Sequence, residues 1–159
     1  AVLMVGNAHP LATSGGPKVI DTRSLLVPNS QHIMGMVLFE SGYRNILRPE
    51  VPELAGESLP QLIAPLLANH HLPISKIRHW IVHPGGPKVI QAVTKAFNLD
   101  DEALSLSRKI LARVGNISSP TVLFMLDEIL SGERPAPGAY GLMIAMGSGF
   151  SQEALLLQW

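Results

Sequence analysis

Two polar side chains stand where this chain can present chemistry. His83 ends the apolar run Trp80-Ile81-Val82 and is followed by Pro84-Gly85-Gly86-Pro87, while Asn116 sits in Gly115-Asn116-Ile117-Ser118-Ser119. A buried-strand run that ends in histidine delivers a polar group to the mouth of a strand. The two glycines permit backbone geometry that a side chain would forbid, and Pro87 suits the first position of a helix, where its missing N–H has no helical partner to lose. An imidazole N–H and a carboxamide NH2 aimed at one thioester oxygen would stabilise enolate or tetrahedral charge by about 3 to 4 kcal/mol per donor. Taken singly, each residue has a plainer reading. His83 then caps an ordinary strand-to-helix turn, and Asn116 is a turn residue after a helix C-cap.

Other candidate chemistries fit the residues less well. His70, His71, His79 and His83 raise a metal question. If residues 79 to 83 are extended, a rise of about 3.3 Å per residue puts His79 and His83 roughly 13 Å apart, too far to share a zinc whose ligand nitrogens lie about 2 Å away. No metal site is expected. Gly147-Ser148-Gly149 invites a hydrolase reading, but a nucleophile elbow needs glycines two places either side of the serine, where Met146 and Phe150 stand. A phosphate-binding turn at Gly85-Gly86 lacks the Gly-x-Gly-x-x-Gly fingerprint.

The 159 residues carry 12 basic and 12 acidic side chains, and the basic ones do not cluster. Nothing in this balance recommends nucleic acid or a membrane surface as partner. The absence of cysteine excludes disulfides, thiolate metal sites and any thiol nucleophile from this chain. No apolar run reaches the roughly 20 residues that span a bilayer, and Ala1-Val2-Leu3-Met4-Val5-Gly6 has no basic flank, so a cytoplasmic protein without a signal peptide is expected. That opening reads as a buried strand already in progress. The expectation is a fragment of a longer chain.

Elements that would position the two side chains follow from periodicity. A strand is expected over 18–27 after a Gly/Pro/Ser loop, and a hairpin over 33–39 and 43–47 around Glu40-Ser41-Gly42. Leu59, Leu62, Ile63, Leu66 and Leu67 mark one helical face within 51–69, where Pro60 and Pro65 predict a kinked or two-piece helix. Val89, Ile90, Val93 and Phe97 predict a helix that stops near Asn98. Asp100-Asp101-Glu102 would cap the next, which runs to about Val114 with Gly115 as its C-cap, and Ser119-Pro120 starts another that reaches Leu130. Residues 140–146 and 154–159 read as a closing strand pair around Gly147-Ser148-Gly149. The hexapeptide Gly-Gly-Pro-Lys-Val-Ile occurs at 15–20 and at 85–90, but the first copy continues as strand and the second as helix, so no repeat is inferred. Strands alternating with helices early and pairing late predict an α/β domain with a mixed sheet.

Trp80-Ile81-Val82-His83-Pro84-Gly85-Gly86-Pro87, followed by Gly115-Asn116-Ile117-Ser118-Ser119-Pro120-Thr121-Val122-Leu123-Phe124, resembles the C-terminal half of a type III polyketide synthase of the chalcone and stilbene synthase family. The likeness covers nearly the whole chain, through Asp21-Thr22-Arg23-Ser24, residues 42–52 and the ending Glu153 to Trp159. The related synthase that starts bacterial fatty-acid synthesis typically has His-Gln-Ala-Asn at the histidine, and plant elongases His-Ala-Gly-Gly. Pro84 narrows the resemblance to the polyketide synthases.

The resemblance implies one half of a thiolase-like fold and a Cys-His-Asn catalytic set. It further implies decarboxylative condensation of malonyl-CoA onto a cysteine-bound acyl starter, with CoA thioesters as substrates and no cofactor. His83 and Asn116 match the family's histidine and asparagine, which bind the malonyl thioester carbonyl and stabilise the enolate; the histidine also helps to keep the cysteine a thiolate. The cysteine would lie in an N-terminal half outside this chain, so the chain alone is expected to be inactive. Gly85 and Gly86 match the turn near the thioester, Ser118 a cavity-lining serine, and Asn45 the place of a gatekeeping Phe in plant members. Gly147 and Gly149 fall in the loop that the family usually writes Gly-Phe-Gly-Pro-Gly. The changes at Asn45 and in Ala145-Met146-Gly147-Ser148-Gly149 count against a plant-like aromatic starter. Lys88 is read as a solvated helix lysine, with contact to a CoA phosphate as the alternative. The competing function is a non-catalytic acyl-CoA- or partner-binding module, which an upstream sequence without cysteine would favour. Finally, Val122 to Leu126 with Ile129 and Leu130 is apolar on every face. Without a second half, this helix is expected to expose several hundred Å² and to drive self-association into a homo-oligomer.

Overall fold

The computed structural model describes residues 16–159, so the expected strand at Ala1 to Gly6 and most of the loop after it lie outside the described residues. Four strands form the main sheet: β1 (Lys18–Leu26), β4 (Ile77–Val82), β5 (Tyr140–Gly147) and β6 (Ser151–Gln158), in the order β1-β6-β5-β4. The β4–β5 pair is parallel and the other two are antiparallel, which is the expected mixed sheet. A separate two-stranded hairpin joins β2 (Met34–Phe39) to β3 (Gly42–Leu47).

Alternation along the strands divides the core in two. Trp80, Val82, Leu142, Ile144, Ala154 and Leu156 face α1 (Val51–Ala68) and α2 (Pro87–Phe97). Ile81, Met143 and Leu157 face the other way, toward α3 (Ser105–Val114) and α4 (Pro120–Ser131). Helices therefore cover both faces of the sheet. Lys109 and Arg113 on α3 both pair with Glu128 on α4, and hydrogen bonding to these two cations holds the Glu128 carboxyl below its ordinary pKa.

Four expectations need correction. Of the kinked or two-piece helix expected at Pro60 and Pro65, the two-piece form is not found, because the segment is one uninterrupted helix of 18 residues. Each proline costs about 3 kcal/mol, but Leu59, Leu62, Ile63, Leu66 and Leu67 are all buried on one face at about 1.5 to 3 kcal/mol each, which outweighs it. The acidic triplet does not cap α3 directly. Asp100 Oδ1 accepts the Ala103 N–H at 2.8 Å and closes a preceding turn, and the helix starts at Ser105.

Helix α4, expected to be exposed, is largely covered. Val122, Met125 and Leu126 are buried, while Leu123, Phe124, Ile129 and Leu130 are half-buried, because α3 and the sheet close over more of the helix than its own pattern shows. The large apolar side chains that reach solvent lie mainly in the hairpin, as Met36, Leu38, Phe39, Tyr43 and Leu47, with Val19 and Leu26 on β1. Strand β6 also starts three residues before the expected Ala154.

Gly141 shows how tightly the sheet packs at the chain's end. A Cβ there would stand 2.8 Å from the Trp159 ring and 3.0 Å from the His79 carbonyl oxygen. Gly141→Ala is therefore expected to lower stability by about 1 to 3 kcal/mol in urea unfolding, with an unchanged m-value. Wild-type stability in this variant would contradict the packing described.

Candidate active site

Strand β4 carries His83 to the site. The His83 N–H donates to the Ile144 carbonyl at 2.8 Å and so extends the ladder one residue past Val82. Alternation places the imidazole on the side of Ile81, which is the side of α3 and α4. His83 is only 7% exposed, and its Nδ1 is buried without a hydrogen-bond partner among the described residues. Burial pushes its pKa below the ordinary 6.5, so the ring is neutral at pH 7.

The chain then turns at Gly85, whose φ of +52° lies in the left-handed region. A Cβ at this position would also crowd Val89 Cγ2 at 3.1 Å, so glycine is required on both counts. Gly86 precedes Pro87, the first residue of α2, as the proline signal implied, and Gly86 has open space beside its Cα.

Asn116 lies between α3 and α4 and reaches back to this turn. Its Nδ2 donates to the Gly85 carbonyl at 3.1 Å, and its Oδ1 accepts the Ser118 N–H at 2.9 Å. Oxygen and nitrogen of the carboxamide are thereby assigned different partners. A carboxamide nitrogen has two hydrogens, so one N–H is left without a hydrogen-bond partner among the described residues. Ser118 takes a left-handed backbone with φ of 62°, and its carbonyl accepts both the N–H and the hydroxyl of Thr121 in the first turn of α4.

The two loops singled out in the sequence are thus joined across 31 residues. The remaining expected residues fall in two further places. Gly147 and Gly149 lie at the β5–β6 turn, with the Gly149 N–H donating to the Met34 carbonyl at 3.3 Å. Ser148 is exposed in this strand-to-strand turn, so the residues do not form a nucleophile elbow, which joins a strand to a helix. Asn45 is exposed on β3 directly across from Met36, and the two share one face of the hairpin. Lys88 is exposed on α2.

Sequence reasoning missed the residues that hold these pieces in place. The Ser30 hydroxyl accepts the Phe150 N–H at 2.6 Å and donates to the Val27 carbonyl at 2.6 Å, fixing the β5–β6 turn beside the root of the hairpin. Ser107, on α3, donates to the Val82 carbonyl at 2.9 Å and steadies β4 just before His83. Neither serine belongs to a motif. The one available signal is that Ser107 stands three residues before Ile110 on the same buried helix face.

The family profile described as chalcone and stilbene synthases, C-terminal domain, matches residues 18–159. The chain belongs to this family. Over all 159 residues it is 41% identical to a 1,3,6,8-tetrahydroxynaphthalene synthase of Streptomyces peucetius subsp. caesius, of which it covers 42%. It is 35% identical to a putative chalcone synthase of Bacillus subtilis (strain 168), with 90% of this chain and 39% of that protein covered. The crystal structure of the 1,3,6,8-tetrahydroxynaphthalene synthase of Streptomyces coelicolor A3(2), a bacterial type III polyketide synthase, superposes with a TM-score of 0.85 at 27% identity, covering 91% of this chain and 41% of that one. The chain therefore spans about two fifths of the length of the relatives it matches. Its sheet and flanking helices are one half of a thiolase-like fold, as the sequence resemblance implied. In this chalcone and stilbene synthase domain, the histidine and asparagine loops meet at one end of β4.

The lowered pKa of His83 has a testable sign. The unfolded chain takes a proton near pH 6.5 and the folded chain only at lower pH, so stability falls as pH drops from 6.5 to the folded value and is flat below it. NMR titration of the His83 ring is expected to give a midpoint below 6.5. A midpoint at or above 6.5 would mean that the ring is not desolvated as described.

Proposed function

We propose that this chain is the C-terminal domain of an acyltransferase that condenses acyl-CoA starters with malonyl-CoA by decarboxylative Claisen condensation. It acts with an N-terminal half that carries the nucleophilic cysteine. The observation that carries the reading is the Asn116 carboxamide, oriented by the Ser118 N–H and the Gly85 carbonyl, with one N–H left over beside the His83 loop. The related synthases supply the reaction class, since the chain is 41% identical to a 1,3,6,8-tetrahydroxynaphthalene synthase and 33% identical to a 3,5-dihydroxyphenylacetyl-CoA synthase of Streptomyces toyocaensis.

In this mechanism the malonyl thioester oxygen receives hydrogen bonds from His83 and Asn116. Loss of CO2 leaves an enolate whose negative charge builds on that oxygen, where the two donors meet it. The enolate carbon attacks the acyl-cysteine carbonyl, forming the new carbon–carbon bond and releasing the cysteine thiolate. Two fixed neutral donors favour the enolate over the ground-state carbonyl, because they need no reorganisation as the charge develops. The chain supplies no metal or other cofactor to these steps. Gly85 and Gly86 bring the backbone close to the thioester, Ser118 lines the cavity, and Gly147 and Gly149 shape its far wall. Asn45 and Met36 form a wall of the acyl site, with Leu38 and Tyr43 beside them on the same face of the hairpin. The active enzyme is a cytoplasmic homo-oligomer of full-length subunits.

In the full-length enzyme, Asn116→Ala is expected to lower malonyl-CoA decarboxylation by about 10²-fold or more while cysteine acylation by the starter stays near wild type. Equal loss of both steps would show that Asn116 does not act on the malonyl oxygen. Asn45→Phe is expected to reduce kcat/KM for long acyl starters roughly tenfold relative to acetyl-CoA. An unchanged ratio would remove Asn45 from the substrate wall.

A further inference from the structure

Among the described residues, strand β1 is the longest strand of the main sheet and lies at its edge, since the order is β1-β6-β5-β4. The Val27 N–H donates to the Phe150 carbonyl at 2.9 Å, and the register runs without a shift from Asp21↔Leu156 to Leu26↔Ser151. In an antiparallel ladder this turns the peptide groups of Asp21, Arg23 and Leu25 toward β6 and those of Thr22, Ser24 and Leu26 outward. An unpaired row of N–H and C=O groups is a template for another strand. Leu26 and Val19 add exposed apolar surface along the same strand.

One outward donor is occupied by the strand's own side chain. The Thr22 N–H donates to Asp21 Oδ1 at 2.8 Å, and Asp21 Oδ2 is held by His70 Nε2 at 2.9 Å. His70 follows the C-terminus of α1, so the carboxylate is fixed between the strand edge and the helix end.

The strand best matched to this edge is a second β1. A two-fold antiparallel pairing about Thr22 would exchange Thr22 N–H and carbonyl groups between copies and set Asp21 opposite Arg23 of the other copy in both halves of the contact. That pairing is self-complementary in charge. It also requires each Thr22 N–H to leave its carboxylate for an incoming carbonyl, whose oxygen the negative charge repels. We propose that the Asp21 carboxylate, held by His70, guards the free edge of β1 against pairing with a second copy of this chain.

Two measurements on the 159-residue chain test the guard. Amide hydrogen exchange by NMR is expected to be at least tenfold slower at Thr22 than at Ser24 and Leu26, which face the same way without a cap. Equal and fast exchange at all three would overturn the proposal, as would equal protection of all three, which would mean that another strand already covers the edge. In sedimentation velocity, Asp21→Ala is expected to raise the dimer fraction above wild type, with new protection at Ser24 and Leu26. Asp21→Asn, which keeps an acceptor oxygen for the Thr22 N–H but not the charge, is expected to fall between wild type and Asp21→Ala, and adding Ser24→Pro to Asp21→Ala is expected to abolish the gain, because that N–H faces outward and β6 pairing is spared. An Asp21→Ala chain that associates no more than wild type would overturn the guard. Should that variant fail to fold, the exchange rates of the unaltered chain decide.

Discussion

The hydrogen bond from Asn116 Nδ2 to the Gly85 carbonyl holds the candidate site together. It ties a loop between two helices to the turn that follows β4, and so sets His83 and Asn116 in one frame. The bond depends on backbone geometry that few residues allow. Gly85 must take a left-handed φ without a Cβ, and the Ser118 N–H must hold Asn116 Oδ1 so that the nitrogen end faces the turn. A hydrogen bond of this kind contributes only about 1 kcal/mol to stability. In the proposed mechanism its weight lies in placing a donor before any substrate arrives.

The rest of the domain makes this placement rigid. Ile81 and Val82 are fully buried on opposite faces of the sheet, so the strand that delivers His83 cannot shift without opening one of two cores. Ser107 ties the end of that strand to α3, and the pairs of Glu128 with Lys109 and Arg113 tie α3 to α4, whose start follows Asn116. The contrast with the β2–β3 hairpin is physical. Among the described residues little packs over that hairpin, and most of its apolar side chains reach solvent, although Met34 at its root packs against the core. The part of the proposed site that sets specificity stands on this less supported element, and the part that stabilises charge stands on the core.

Much of this was legible in the sequence because the signals were local. The apolar run before His83, the proline after Gly86 and the glycine before Asn116 each fix a backbone event within a few residues, and the strand and helix boundaries there are close to the expected ones. Pro60 and Pro65 do not split the helix, because their cost is local while the burial that offsets it comes from the sheet and α2. The cover over α4 was missed for the same reason, since an all-apolar helix does not say which neighbours it has. Ser30 was invisible, because its partners Val27 and Phe150 come together only when β1 and the β5–β6 turn are in place. The contact between Gly85 and Asn116 was likewise not visible from spacing, because the two residues lie 31 positions apart and meet only when β4 and the α3–α4 loop are in place.

The central claim is that His83 and Asn116 converge on one thioester oxygen. Its most direct test is a crystal structure of the full-length synthase with an unreactive malonyl-CoA analogue bound. The account predicts the thioester oxygen within about 3 Å of both the His83 imidazole and Asn116 Nδ2, with the Asn116 to Gly85 bond intact. A thioester oxygen bound elsewhere, or reached by only one of the two side chains, would contradict it.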